Sequence, residues 1–136
     1  MAKLGFFVVA EGISVDQATN RISLFNVIEE VYPPSFPASI PTVVAICLWN
    51  AEPGDEDQDF QLTLRITPPG QPPKEFHQNF RIPGRRCRTL SFVEGMQVAH
   101  PGELRLDADL NGKHQASHVI YVCKAETDDL PAAANS

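Results

Sequence analysis

Apolar residues recur along this chain with a period of two, or in short β-branched and aromatic runs, and Pro, Gly, Asn and Asp interrupt them at short intervals. That spacing predicts strands rather than helices, over residues 3–11, 21–31, 42–50, 60–67, 74–82, 87–93, 102–110 and 113–124. In 60–67 the alternation is plain. Phe60, Leu62, Leu64 and Ile66 fall on one face and Gln61, Thr63 and Arg65 on the other, because successive side chains of a strand point to opposite sides. The run TVVAICLWN at 42–50 is apolar on both faces, which predicts a central strand or one covered by a loop or partner. YPPSFPASIP, 32–41, is rich in proline, which cannot donate to a ladder; it should cross between sheets as a stiff connection, with Tyr32 and Phe36 anchoring it to the core. Beyond Cys123 the periodicity stops, so residues 125–136 read as a disordered acidic tail on a single domain at 1–124. The expected fold is all-β: a two-sheet antiparallel β-sandwich, immunoglobulin-like or similarly Greek-key, of roughly seven to nine strands.

The stretch LNGKHQASHVIYV, 110–122, bears on both fold and chemistry. Asn-Gly is a strong turn signal, because both residues tolerate positive φ. A two-residue Asn111-Gly112 loop would set Lys113, Gln115 and Ser117 on the side of Leu104, Leu106, Ala108 and Leu110, which is poor burial. A three-residue Leu110-Asn111-Gly112 loop, with glycine in a bulge, instead turns Ala116, Ile120 and Val122 inward and sets Asp109 across from Lys113. The bulged register is the expected one, with His114 and His118 on the packed side or its rim. It also weighs against zinc. The two histidines have helical metal spacing, but on a strand their backbones stand about 13 Å apart, too far for one ion held at ~2.0–2.1 Å by both.

Two loops carry opposite charge. AEPGDEDQDF, 51–60, gathers Asp55, Asp57 and Asp59 in the D-x-D-x-D order of a calcium loop, though Phe60 and Ile66 stand where an EF-hand needs Gly and Glu. Calcium at these carboxylates is one reading, and a solvated loop is the simpler one. RIPGRRCRT, 81–89, places Arg81, Arg85, Arg86 and Arg88 around Cys87. Clustered guanidiniums can hold carboxylate or phosphate bidentately, and they favour the thiolate of a neighbouring cysteine, so an anion or partner site and a reactive Cys87 are the functional readings. The same residues would also suit a charged edge that discourages aggregation. The arginine loop could meet the acidic loop of a neighbouring subunit.

Seventeen acidic against eleven basic side chains give a net charge of −6 at pH 7, which disfavours nonspecific attraction to nucleic acid or an anionic membrane. The cysteines Cys47, Cys87 and Cys123 are odd in number and widely spaced, which points to reduced thiols in a cytoplasm. Lys3 followed by the apolar run from Leu4 to Ala10 looks like a shortened secretion signal, but Glu11 ends it early, and a first strand is the expected reading. No apolar run approaches the ~20 residues of a membrane helix. No nucleotide-binding, nucleophile-elbow, C-x-x-C or H-E-x-x-H motif occurs.

Taken in order, KLGFFVVAEGISVDQATNRISLFNVIEEVYPPSFPASIPTVVAICLW, PPGQPPKEF and HPGELRLDADLNGKHQASHVIYV resemble a family of small, uncharacterised bacterial proteins of similar length. The shared features are an opening strand with a D-x-x-T-x-R turn at Asp16–Arg21, the PSFP crossing and a closing P-G-E hairpin. The resemblance spans about the first 123 residues. It implies a bacterial β-sandwich and carries over no catalytic residue. The arginine-rich 85–88 loop and the acidic tail depart from the family's pattern.

The expectation for function is a noncatalytic binding or assembly module without cofactor, using a sheet face, an edge strand or the end loops toward a protein partner or a second copy of itself. Trp49, Arg81, Arg85, Arg86 and Arg88 are the contact candidates, since Trp and Arg most often carry interface energy; the plain alternative for Trp49 is core. The rival expectation is a loop-based enzyme or metal-dependent ligand binder using Cys87 or Asp55, Asp57 and Asp59.

Overall fold

The computed structural model describes residues 1–125, so the expected tail lies, beyond Ala125, outside the described residues. The strands are β1 (Lys3–Val15), β2 (Ile22–Val27), β3 (Glu30–Val31), β4 (Ala38–Ile40), β5 (Val43–Asn50), β6 (Phe60–Thr67), β7 (Lys74–Phe80), β8 (Arg86–Val93), β9 (Met96–Val98), β10 (Gly102–Leu110) and β11 (Lys113–Val122), with no helix among the described residues. One sheet has the order β2-β1-β5-β8 and the other β3-β11-β10-β6-β7, while β4 and β9 form a small ladder of their own. The two large sheets enclose the core: Val9, Val43 and Ala45 from the first meet Leu64, Ile66, Leu104, Leu106, Ile120 and Val122 from the second, and Cys47 and Trp49 meet Phe60, Leu62, Ala108 and Leu110 at a second cluster. The protein is thus an all-β sandwich.

The eleven strands among the described residues exceed the seven to nine expected. The surplus is short: β4 lies in the proline-rich crossing, where it pairs with β9, and the expected strand over 21–31 is interrupted at Ile28 and Glu29, between β2 and β3. Its remnant β3 runs parallel to β11, a local exception to antiparallel pairing. Phe36 packs on the main core as expected, and the Tyr32 hydroxyl donates to Glu30, 2.7 Å away.

The β1–β2 hairpin covers the outer face of its own sheet and explains why β5 is apolar on both sides. Ala10, Val44 and Ile46 are fully buried there beneath Phe6, Ile13, Leu24 and Leu90. The hairpin tip is the D-x-x-T-x-R turn. The Asp16 carboxylate accepts the Ala18 and Thr19 amides at 2.8 and 3.2 Å, and Thr19 Oγ1 accepts the Arg21 amide. Although β8 is two strands away from β1, the Arg88 guanidinium donates to the Asn20 carbonyl at 3.0 Å and to its side-chain oxygen at 2.6 Å, tying the tip across the sheet.

The closing hairpin reaches the expected facing by a different route. Its loop is the two-residue Asn111-Gly112 turn, with φ of 49° and 80° and Leu110 opposite Lys113. The one-residue slip needed to turn Ile120 and Val122 inward is made by a bulge at Gln115, between the Asp109–His114 and Ala108–Ala116 pairs. Asn111 also bonds to β6 through its amide and its side-chain oxygen, both to Gln61 at 2.9 Å. Where the P-G-E segment enters β10, Gly102 has φ 147°, and a Cβ there would stand 2.9 Å from Pro69 Cβ, so only glycine fits.

Candidate binding groove

Folding the hairpin tip onto β8 leaves a groove of about 400 Å³ at one end of the covered face. Phe6 of β1, Ile22 of β2, Leu48 of β5 and Pro83 supply apolar walls, and Asn20, Arg86, Cys87 and Arg88 complete them. The strands dictate this arrangement. In β8, Arg86 and Arg88 pair with Asn50 and Leu48, so both lie on the hairpin side of the sheet, whereas Cys87 pairs with Trp49 and turns toward the core. Arg88 is held by Asn20. Arg86 is exposed and makes no ion pair among the described residues, so its donors remain available.

Arg86 also borders a second depression, of about 470 Å³, shared with Arg85, Glu52 and Glu56. Here the acidic and arginine loops adjoin within one chain. Arg81 donates to Asp59 at 2.6 Å, and the Arg85 carbonyl accepts the Ala51 amide. The guanidinium holds the Asp59 carboxyl below its usual range, by hydrogen bonding first and by charge second.

Several sequence-based site readings change. Trp49 is not on a contact surface: it is fully buried, stacked on Phe80 at 5.7 Å, and its Nε1–H donates to Thr89 Oγ1 at 3.0 Å. Its place on the inward side of β5 decides this. Asp55, Asp57 and Asp59 do not converge on a calcium site. Asp55 is buried and accepts the Glu52 amide at 2.7 Å, Asp57 sits at φ 61° in the turn, and Asp59 is engaged by Arg81. Among the described residues no three His, Cys, Asp or Glu side chains come together as metal ligands would.

Cys87 does not have the activated thiol that its arginine neighbours suggested. Burial pushes its pKa up and outweighs the opposing charge of Arg88. The fully buried Cys47 is pushed up to about 11 by desolvation. We expect Cys87 to react with a maleimide at neutral pH more slowly than an unfolded thiol, and Cys47 to stay unmodified until the protein unfolds. Mass spectrometry of a time course checks both, and labelling of Cys87 faster than the denatured chain would contradict the assignment.

The histidines part company at the Gln115 bulge. His118 faces the packed side, opposite Leu106, with Nε2 2.6 Å from the Ile28 carbonyl. His114, contrary to expectation, faces outward. There its Nδ1 lies 3.2 Å from Asp109 and its Nε2 3.1 Å from Ser117 Oγ. Ser, His and Asp in this order resemble a hydrolytic triad, but the surroundings direct the hydroxyl elsewhere. Ser117 donates to Asp107 and accepts from Arg105 at 3.0 Å, while Asp109 accepts from Arg65 at 2.6 Å. The Ser117 proton is committed to a carboxylate, so the cluster reads as a polar ladder across β6, β10 and β11. Burial alone would raise the Asp107 pKa; the hydrogen bonds from Ser117 and Arg105, with the nearby positive charge, bring it below the usual value of 3.8. A carboxyl lowered on folding stabilises the native state above its unfolded pKa, and that contribution disappears as pH falls through the folded value. Asp107→Asn should therefore flatten the fall in stability below about pH 4, read from urea melts. An unchanged acid limb would contradict this role.

Fold and groove together define an all-β sandwich with an arginine-rimmed apolar groove. The chain belongs to a family of unknown function, DUF6941, whose model matches residues 5–123. Comparison with curated proteins gives no match.

The wall residues Phe6, Ile22, Leu48 and Pro83 carry no motif that sequence reading could find. The available signal was indirect, in the two-sided apolarity of 42–50.

Proposed function

We propose that this protein is a noncatalytic binding module, and that its groove takes a ligand or partner segment bearing a carboxylate or phosphate on an apolar body. The observation that carries this reading is the exposed Arg86, which makes no ion pair among the described residues, at the rim of an apolar groove in a chain of net charge −6. Acidic chains repel anions in general, so a local guanidinium pair, with one member fixed by Asn20, favours a specific anionic group. The apolar walls add area-dependent affinity, and the arginine fork adds orientation. Three unpaired thiols support placing the module in a reducing bacterial cytoplasm.

The fluorescent probe 1-anilinonaphthalene-8-sulfonate is an anion on an apolar body and tests this directly. Titration should show saturable binding that dodecanoate displaces and dodecanol displaces poorly. Arg86→Ala should weaken binding about ten-fold or more, the loss expected for a charge-assisted hydrogen bond. Equal binding by wild type and Arg86→Ala would overturn the reading.

A further inference from the structure

The free edge of β7 presents an inconsistency between register and exposure. Phe76 pairs with Leu64, which is buried, and so points into the sandwich, yet Phe76 is 44% exposed. The cause is a lateral opening. β7 ends one sheet and β8 ends the other, and among the described residues no strand pairs with either free edge. The resulting depression of about 250 Å³ is lined by Phe76, Gln78, Ser91 and Phe92, the last 62% exposed. An eight-residue and a seven-residue edge, each with unpaired backbone groups and an exposed aromatic, are surfaces that stable proteins normally cover or charge.

The sequence of β7 selects the cover. Lys74-Glu75-Phe76-His77-Gln78, laid antiparallel against itself about Phe76, sets Glu75 opposite His77 twice, Lys74 opposite Gln78 twice, and Phe76 opposite Phe76. No like charges face each other. The donor side of the Glu–His pair is already prepared. Thr63 Oγ1 lies 3.0 Å from His77 Nδ1, and when its hydroxyl donates, the neutral ring carries its proton on Nε2. That nitrogen is 3.9 Å from its own chain's Glu75, beyond hydrogen-bond reach. Glu75 is in turn bonded at one oxygen by Arg65, which leaves the other for an incoming donor.

We propose that two copies of this chain join through β7, pairing antiparallel about a two-fold axis at Phe76. The five-stranded sheet then continues into its copy as one of ten strands, since each copy contributes five. The opposed Phe76 rings close the lateral opening, and Thr63–His77–Glu75–Arg65 forms an unbroken polar row across the axis on the outer face. The contact is isologous, so it closes at two copies and leaves no further β7 edge exposed. It is independent of the groove, and its failure would leave the binding reading standing.

Cysteine cross-linking tests the register. In a Cys87→Ser, Cys123→Ser background, Phe76→Cys should form a disulfide-linked dimer under mild oxidation, because directly opposed residues bring their Cα atoms about 4.5–5.5 Å apart. Lys74→Cys and Gln78→Cys should each fail alone, since each then stands about 13 Å from its own copy, and should cross-link when mixed. Light scattering should give a dimer for the wild type and a monomer for Phe76→Asp, with unchanged melting of the dilute monomer showing that the fold survives. Replacing Glu75 and His77 each by the other should keep the dimer, whereas His77→Glu alone should lose it. A wild-type monomer at all concentrations, self-linking at 74 or 78, or a dimer indifferent to Phe76→Asp would each overturn the proposal.

Discussion

Trp49→Ala should cost about 3–5 kcal/mol of stability, the usual range for emptying a fully buried large aromatic site. The side chain joins three elements at one end of the core. It stacks on Phe80 of β7, shares a cluster with Ala2, Phe60, Ile82, Ala108 and Leu110, and donates to Thr89 of β8. Collapse into the cavity is limited because two sheets hold its walls apart. The melting temperature should fall on the order of 10 °C. Trp49→Phe should lose less: the stack survives, but the buried Thr89 hydroxyl loses its indole partner, which costs about 1–3 kcal/mol. Because Trp49 is the chain's single tryptophan, its emission also reports its surroundings, and a blue-shifted band insensitive to iodide is expected. Near wild-type stability of Trp49→Ala would mean that the residue is not core.

Neighbouring residues of the closing hairpin should respond very differently to truncation. Ile120 is fully buried opposite Leu104, and Ile120→Ala should cost about 2–5 kcal/mol. Tyr121, opposite Glu103 and 49% exposed, should change stability by roughly 0.5 kcal/mol or less on replacement by alanine. Chemical denaturation of the two variants measures the contrast. Since a slip of one residue exchanges the two faces of a strand, a reversal of the two costs would place the hairpin in the other register.

That hairpin shows how much the amino-acid pattern determined. The inward set of Ile120 and Val122 follows from period-two burial, which is a local and strongly constrained property. The means of reaching it was not legible. Asn111-Gly112 keeps the tight turn its chemistry favours, and the slip moves to Gln115, where nothing in the residue types marks a bulge. That shift sends His114 outward to Asp109 and Ser117. The same division holds elsewhere. Strands with long alternation, such as β6, were placed correctly, whereas β4 and β9 are three residues each and are held by their mutual pairing.

The groove lies furthest from sequence reading. Arg86 and Arg88 were visible as charge, but Phe6, Ile22 and Leu48 join them only because Asn20 is tied to β8, a contact between residues 68 apart in the chain. Local propensity contains no record of such a fold-over. Cys87 teaches a related point: proximity of arginines in sequence suggested a lowered pKa, and burial reversed the sign.

On the proposed function, the arginine-rimmed groove is where this protein binds. Amide chemical-shift mapping during titration with dodecanoate tests it most directly. Saturable shifts concentrated at Phe6, Asn20 to Ile22, Leu48 and Arg86 to Arg88, lost in Arg86→Ala, are the expected result. Shifts centred on β7 and the Phe76–Phe92 opening, or spread without saturation over the surface, would contradict it.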